Sequence, residues 1–442
     1  MGTHTIFEHE KISFKELGIE HDHPLLSQLE QLNIHAGDDL VTIGRDFLKA
    51  SQYVGILKTR NINIQILPKI DFLEHTSGFA QDTMSRNASA VRTAAINLLY
   101  LLSYTHNLPV KAIEQAALIT QSGEWFELLT RIFATELHEL MSGGLSRSYI
   151  LREENLPLLR GRWEIEKQLR RQPHVRHRFD VTYDDYSPDT PLNRLFRFIS
   201  QRLLHITNDH LNQTLLCDLL EWLQNVEHLE TIDAIQIDQI TFTRLNDHFR
   251  PPFNLARLFL ELGVMQFESG STQAYAFVFD MNQLFERFVT RFIERHRHLI
   301  LPAKWADIQI LPQSHGYIRY LAERASNNKR VFQLKPDIIF SHFMKKPDLI
   351  IDTKYKQLDR GSRRLGITEG DFYQMVAYIT RLDCEKVILL YPRSFGMMPV
   401  IESFYLIERD AVIYTADINL HWPIRDYCVL AKEMRKIFEH VV

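Results

Sequence analysis

Three side chains within residues 331–356, VFQLKPDIIFSHFMKKPDLIIDTKYK, are of the types that grip a divalent cation and steady a developing negative charge: Asp337, Asp352 and Lys354. Asp352 and Lys354 stand two apart in a run rich in β-branched residues (349–355), and strand side chains alternate, so both project to one side of a sheet. Asp337 belongs to an earlier apolar run, residues 334–340, joined to the second run by a polar turn at 341–347. An antiparallel return sets Asp337 opposite the pair. Two carboxylates and an ammonium then converge inside otherwise apolar strands, which is costly unless something compensates. The arrangement asks for a cation, and oxygen ligands favour a hard one such as Mg²⁺. Pro347-Asp348 supplies another acid, but Asp348 precedes Asp352 on the same strand by about 13 Å at strand rise. That is too far to share one ion, so Asp337 is the better partner.

Two helices must hold these residues in place. The first spans residues 277–296, FVFDMNQLFERFVTRFIERH, with Asp280 as N-cap and Gln283 completing a capping box. Phe285, Phe288, Val289 and Phe292 form its buried face, and Glu286 adjoins that face. The second spans residues 367–382 with Thr368 as cap, and places Gln374 and Tyr378 one turn apart on one side. Pro336-Asp337 followed by Asp352-Thr353-Lys354 resembles the PD-(D/E)XK nuclease signature, and Gln374 with Tyr378 resembles the Q-x-x-x-Y element of its RecB-like branch. Asp280-Met281-Asn282 through Phe285-Glu286 is similar to the McrC family, the nuclease subunit of McrBC modification-dependent (type IV, 5-methylcytosine) restriction systems. Leu159-Arg160-Gly161-Arg162, the polar turn 184–190 before Asn193, and the string from Gly55-Ile56 to Ile66-Leu67-Pro68-Lys69-Ile70 resemble the same family.

The resemblance implies an endonuclease that hydrolyses DNA phosphodiesters with Mg²⁺. Asp337, Asp352, Glu286 and the backbone carbonyl of Thr353 would hold one or two ions, Lys354 would orient water and stabilise the phosphate, and Gln374 and Tyr378 would complete the site. It also implies a separate AAA+ GTPase partner, McrB-like, which recognises modified double-stranded DNA and whose GTP hydrolysis this chain stimulates. The N-terminal and central parts would cap or enter the GTPase ring, and double-strand cleavage would call for a dimer through the nuclease domains. Two other readings stay open: a stand-alone RecB-like repair nuclease, and a non-enzymatic adaptor that activates a ring NTPase.

Composition fits this frame. With 45% hydrophobic and 24% charged residues in 442, the chain is an ordinary globular protein of two or three domains. Cys217, Cys384 and Cys428 are widely spaced, which argues against a disulfide framework or zinc site and for a reduced cytoplasm. No signal sequence and no run of about 18 apolar residues is present, so neither secretion nor membrane spanning is expected. A net charge of −4 is unhelpful for gripping DNA unaided, and no G-x-x-x-x-G-K-[ST] occurs. Both features suit a chain whose substrate is delivered by something else.

In order, an α+β multidomain architecture is expected: a small β domain at 1–75, a helical, basic partner-docking domain at 91–235, and an α/β nuclease domain with a mixed central sheet at 266–442. Residues 72–90 read as a linker. Runs at 94–103, 110–121 and 125–141 have helical spacing, and Gly143-Gly144 stops the last. Residues 147–178 are rich in arginine. Arg160, Arg162, Arg170 and Arg171 are candidates for docking DNA or an acidic partner, against the plain alternative of a solvated surface. His174, His177, His298 and His342 lack partners at metal spacing and read as polar surface.

Overall fold

The computed structural model describes residues 3–20, 23–36, 39–59, 62–69, 88–108, 124–170, 177–232, 234–261, 265–269, 272–313, 318–342, 346–393, 396–407, 409–420 and 426–442. The expected linker lies almost wholly outside them, and the expected helix at 110–121, Arg171 and His174 lie outside altogether. By contact the chain divides into two compact units, residues 1–126 with 262–442, and residues 127–261.

The first unit is built on two large sheets. A mixed six-stranded sheet runs in the order Gln309–Pro312, Ile338–Ser341, Leu349–Thr353, Lys386–Arg393, Val412–Asn419, Ile401–Tyr405. Its two central pairings are parallel and the outer ones antiparallel. Parallel neighbours need a crossover, supplied between Leu349–Thr353 and Lys386–Arg393 by the helix Glu369–Leu382. Met375, Tyr378, Ile379 and Leu382 of that helix pack on Ile339, Ile350, Val387 and Leu389, which all point to one face. Phe340 points to the other, between Trp305 and Phe438. A sheet covered on both sides explains strands that are apolar without alternation.

The five-stranded sheet joins the two ends of the chain. Its order is Thr3–Phe7, Asn63–Leu67, Tyr53–Thr59, Thr272–Asp280, Met265–Ser269. Gly55 faces Val278 across this seam at φ 152°, and a Cβ there would lie 1.9 Å from the Phe277 carbonyl oxygen. Only glycine admits so close an approach. A smaller sheet of Lys11–Ser13, Phe47–Ala50 and Val41–Ile43 packs its apolar residues with those of the five-stranded sheet.

The second unit combines helices with a three-stranded antiparallel sheet of Ser148–Leu156, Phe179–Ser187 and Arg162–Trp163. The purely helical expectation for this region is therefore corrected. Gly161, at φ 68°, abuts Tyr183 Cβ where its own Cβ would come within 2.5 Å. Asn193 is fully buried and its amide donates to the carbonyls of Ser146 (2.8 Å) and Pro188 (2.6 Å), tying the polar turn to the helix Pro191–Ile206. Pro251 and Pro252 stand in the first turn of the helix Arg250–Glu261, where a missing N–H costs nothing.

Two expected boundaries in the first unit also move. Leu334 closes a separate hairpin, Arg319–Arg324 with Lys329–Leu334, so the strand after Asp337 begins only at Ile338. Residues 277–280 end a strand, and the helix proper is Met281–Arg295. Asp280 does cap it, accepting from the Asn282 amide at 2.8 Å.

Candidate functional site

The register explains why the acids meet. Ile338 pairs with Ile351 and Ile339 with Ile350, so Asp337, one residue before its strand, stands against the end of Leu349–Thr353. Asp337 Oδ2 accepts from both the amide and the hydroxyl of Thr353, each at 2.7 Å. Asp352 shares the face of Ile350, beneath the helix Glu369–Leu382, and is 1% exposed. Lys354 follows the strand end, its amide donating to the Leu390 carbonyl at 2.9 Å. Its ammonium lies 2.8 Å from Asp352 Oδ2 and 3.8 Å from Asp371 Oδ1, and donates to Gln374 Oε1 at 2.9 Å.

The helix completes a relay. Gln374 Nε2 donates to the Tyr378 hydroxyl at 2.8 Å, and that hydroxyl donates to the Lys335 carbonyl at 3.0 Å. One i, i+4 pair thus holds the lysine at one end and the chain leading into Asp337 at the other.

Electrostatics follow from burial. Burial, then the neighbouring Glu286 charge, push Asp337 up to about 6 against the hydrogen bonds from Thr353. Burial, then Asp337, push Asp352 up to about 7 despite Lys354. Burial works against the Lys354 ammonium, but Asp352, Asp371 and Asp337 together outweigh it and hold the lysine above its usual range. Burial also raises Glu286 against a hydrogen bond from Gln313, with the Asp352 charge adding to the rise.

Among the described residues no three His, Cys, Asp or Glu side chains form a group that could hold a metal. Glu286 is near enough to repel Asp337 and Asp352, yet the three do not make one such cluster. The paired aspartates still suit Mg²⁺, which keeps several waters and takes one or two carboxylates. Asp352 Oδ2 is buried and faces the Lys354 ammonium at 2.8 Å, a carboxylate oxygen already placed to meet positive charge.

Residues the sequence reading did not single out also belong here. Gln313, at φ 48°, donates its amide to the Asp337 carbonyl at 2.7 Å while its side chain bonds Glu286. Asp371, three residues after the Thr368 cap, receives Lys356. The position of Asp371 after a cap was readable; nothing local marked Gln313. Lys356 is paired with Asp371. Asp348 accepts from the His342 amide and contacts its Nδ1, both at 3.0 Å, and so stabilises the turn.

Away from this site, several described cations of the arginine-rich stretch have acidic neighbours. Arg160 sits over the Tyr183 ring and 3.6 Å from Asp185, and Arg162, 83% exposed, lies 3.6 Å from Glu164. Arg170 caps the short helix Ile165–Leu169.

Fold and site together define an α/β protein with an acid–acid–lysine centre at the end of a mixed sheet. The model of the McrBC 5-methylcytosine restriction system component matches residues 48–392, and the chain belongs to that family. No curated protein matches it in sequence. Among solved structures it is similar, at TM-score 0.71 and 21% identity over 100% of both chains, to a chain of the refined half-complex from the tetradecameric assembly of Thermococcus gammatolerans McrB AAA+ hexamers with bound McrC. A chain of the Thermococcus gammatolerans McrBC complex is similar at TM-score 0.53 and 24% identity, over 67% of this chain and 88% of that one. The family membership implied by Asp280-Met281-Asn282 and its companions is met.

Proposed function

We propose that this chain is the DNA-cutting subunit of a modification-dependent restriction system, a Mg²⁺-dependent endonuclease of the PD-(D/E)XK type that works with an McrB-like AAA+ GTPase. The single observation that carries the reading is the buried convergence of Asp337, Asp352 and Lys354, braced by Gln374 and Tyr378. Asp337, Asp352 and the Thr353 carbonyl, with Glu286 alongside, are the groups that would hold the metal. Once bound, it would supply a nucleophile at neutral pH and neutralise charge on the phosphate. Lys354 offers a fixed ammonium where negative charge develops at phosphorus. Gln374 orients that ammonium, and Asp352 keeps it protonated.

The partner follows from the family and from the complexes formed by its structural relatives, and the lack of a P-loop motif agrees with it. The segments at 1–75 and 91–235 are the parts we assign to docking, with 266–442 doing the cutting. Support for docking comes less from Arg160, Arg162, Arg170 and Arg171 than from apolar side chains left exposed on and around the three-stranded sheet. Tyr149 is 74% exposed and Leu158 76%, with Leu151, Leu169 and Tyr186 also open.

The test is cleavage of methylated and unmethylated DNA with Mg²⁺, with and without GTP and the GTPase partner. Lys354→Ala should cut about a hundredfold more slowly, or not at all, while keeping its fold as read by circular dichroism. Cleavage at the wild-type rate by that variant would overturn the assignment.

A further inference from the structure

Lys354 leaves the sheet at the head of a tight turn, in which the Lys356 amide donates to the Lys354 carbonyl at 2.9 Å. Lys354 and Lys356 both reach Asp371. Tyr355, between them, makes its contacts elsewhere. Its ring packs against Phe285 at 5.9 Å between centroids, and its hydroxyl donates to Glu8 Oε2 at 3.0 Å.

Glu8 comes from the other end of the chain. It follows the strand Thr3–Phe7, extends that strand's pairing by donating its amide to the Leu67 carbonyl at 3.0 Å, and is 2% exposed. Its Oε2 also accepts from the Lys69 amide at 3.1 Å, while Oε1 is buried with no hydrogen-bond partner. An incompletely satisfied buried carboxyl is costly, and the side chain that donates to it is that of the residue beside Lys354. Burial, reinforced by the nearby Asp280, pushes Glu8 up to about 8, so near neutral pH its use is as a hydrogen-bond acceptor rather than as a charge. The same sheet reaches the site by a second route. Tyr53 pairs with Asp280, which caps the helix bearing Phe285 and Glu286.

We propose that Glu8 is a positioning residue for the nuclease centre: by accepting the Tyr355 hydroxyl it anchors the turn that carries Lys354, so that the N-terminal sheet governs the rate of phosphodiester hydrolysis. The inference rests on the nuclease reading above. Glu8 touches neither metal nor substrate in this account, and it acts through the placement of Lys354.

The test is a double-mutant cycle in the full chain with its GTPase partner, using Glu8→Ala, Tyr355→Phe and both together. Each single change should lower kcat about tenfold with KM for DNA unchanged. The double variant should be no worse than either, because both remove one contact. Glu8→Gln keeps the acceptor and should restore a rate close to wild type. Hydrogen exchange, which needs no activity, should speed severalfold at the Lys354 and Lys356 amides in Glu8→Ala and Tyr355→Phe and stay unchanged at residues 387–391. Unchanged exchange at 354–356, additive rate losses, or failure of Glu8→Gln to rescue would each overturn the proposal. If the wild-type chain cuts nothing, the nuclease reading falls and the exchange arm alone decides whether Glu8 anchors the turn. If it cuts, and Glu8→Ala cuts equally fast, only the role of Glu8 falls.

Discussion

Asp337 and Asp352 hold their protons more tightly in the folded chain, at about 6 and about 7, than the 3.8 of a free aspartate. The sign of the consequence follows directly. The stability these groups contribute is fully present below their unfolded pKa and is lost as pH rises through the folded values. Metal-free protein should therefore melt at progressively lower temperature from about pH 4 to about pH 7. On the proposed reading a divalent cation binds the ionised pair, so its protection in a melt should be large near neutrality and slight in acid. Asp337→Asn keeps an oxygen to accept both Thr353 bonds while removing repulsion from Glu286 and Asp352. It should abolish cleavage yet raise metal-free stability at neutral pH by about 1 kcal/mol, read by urea denaturation. The aspartates and lysine were legible in the sequence because alternation along one strand and a short antiparallel return are local rules. Glu8 and Gln313 were not, since their partners at Tyr355 and Glu286 are reached only through the tertiary fold.

Strands and helices were legible where one rule governed them. The helices Glu369–Leu382 and Trp125–Ser142 lie where periodicity puts them, on the expected 367–382 and 125–141. The strand pair Ser148–Leu156 and Phe179–Ser187 was missed because its charges mask the alternation. Arg152 answers Asp185 at 3.0 Å and Lys167 answers Glu153, so a run that reads as basic surface is a sheet with its own counter-ions. The pairing of Tyr53–Thr59 with Thr272–Asp280 has no local signal except Gly55. Gly55→Ala would drive a methyl group into the Phe277 backbone and should cost about 3 kcal/mol, seen as a lower urea midpoint without a change in slope.

At the scale of the whole chain, the proposed cutting centre and the exposed apolar patch proposed for docking fall in different units, and variants can test them apart. Lys354 lies in the unit formed by residues 1–126 and 262–442, while the exposed carbons of Tyr149, Leu151 and Leu158 lie in residues 127–261. Lys354→Ala should leave stimulation of the partner's GTP hydrolysis intact, and Tyr149→Asp with Leu158→Asp should weaken it while a phosphate-release assay records both. No helix among the described residues is long and apolar enough to cross a membrane.

The five-stranded sheet also sets an order of events at the ribosome. Its strands Thr3–Phe7, Tyr53–Thr59 and Asn63–Leu67 are made first, yet the edge of Tyr53–Thr59 finds its neighbour only when Thr272–Asp280 has emerged. Residues 127–261 can complete their own core in that interval, as domains made earlier generally do. Until then an open strand edge waits in the nascent chain, and a truncated gene starting at residue 266 would leave the facing edge, that of Thr272–Asp280, open for good, inviting aggregation in place of a free-standing enzyme.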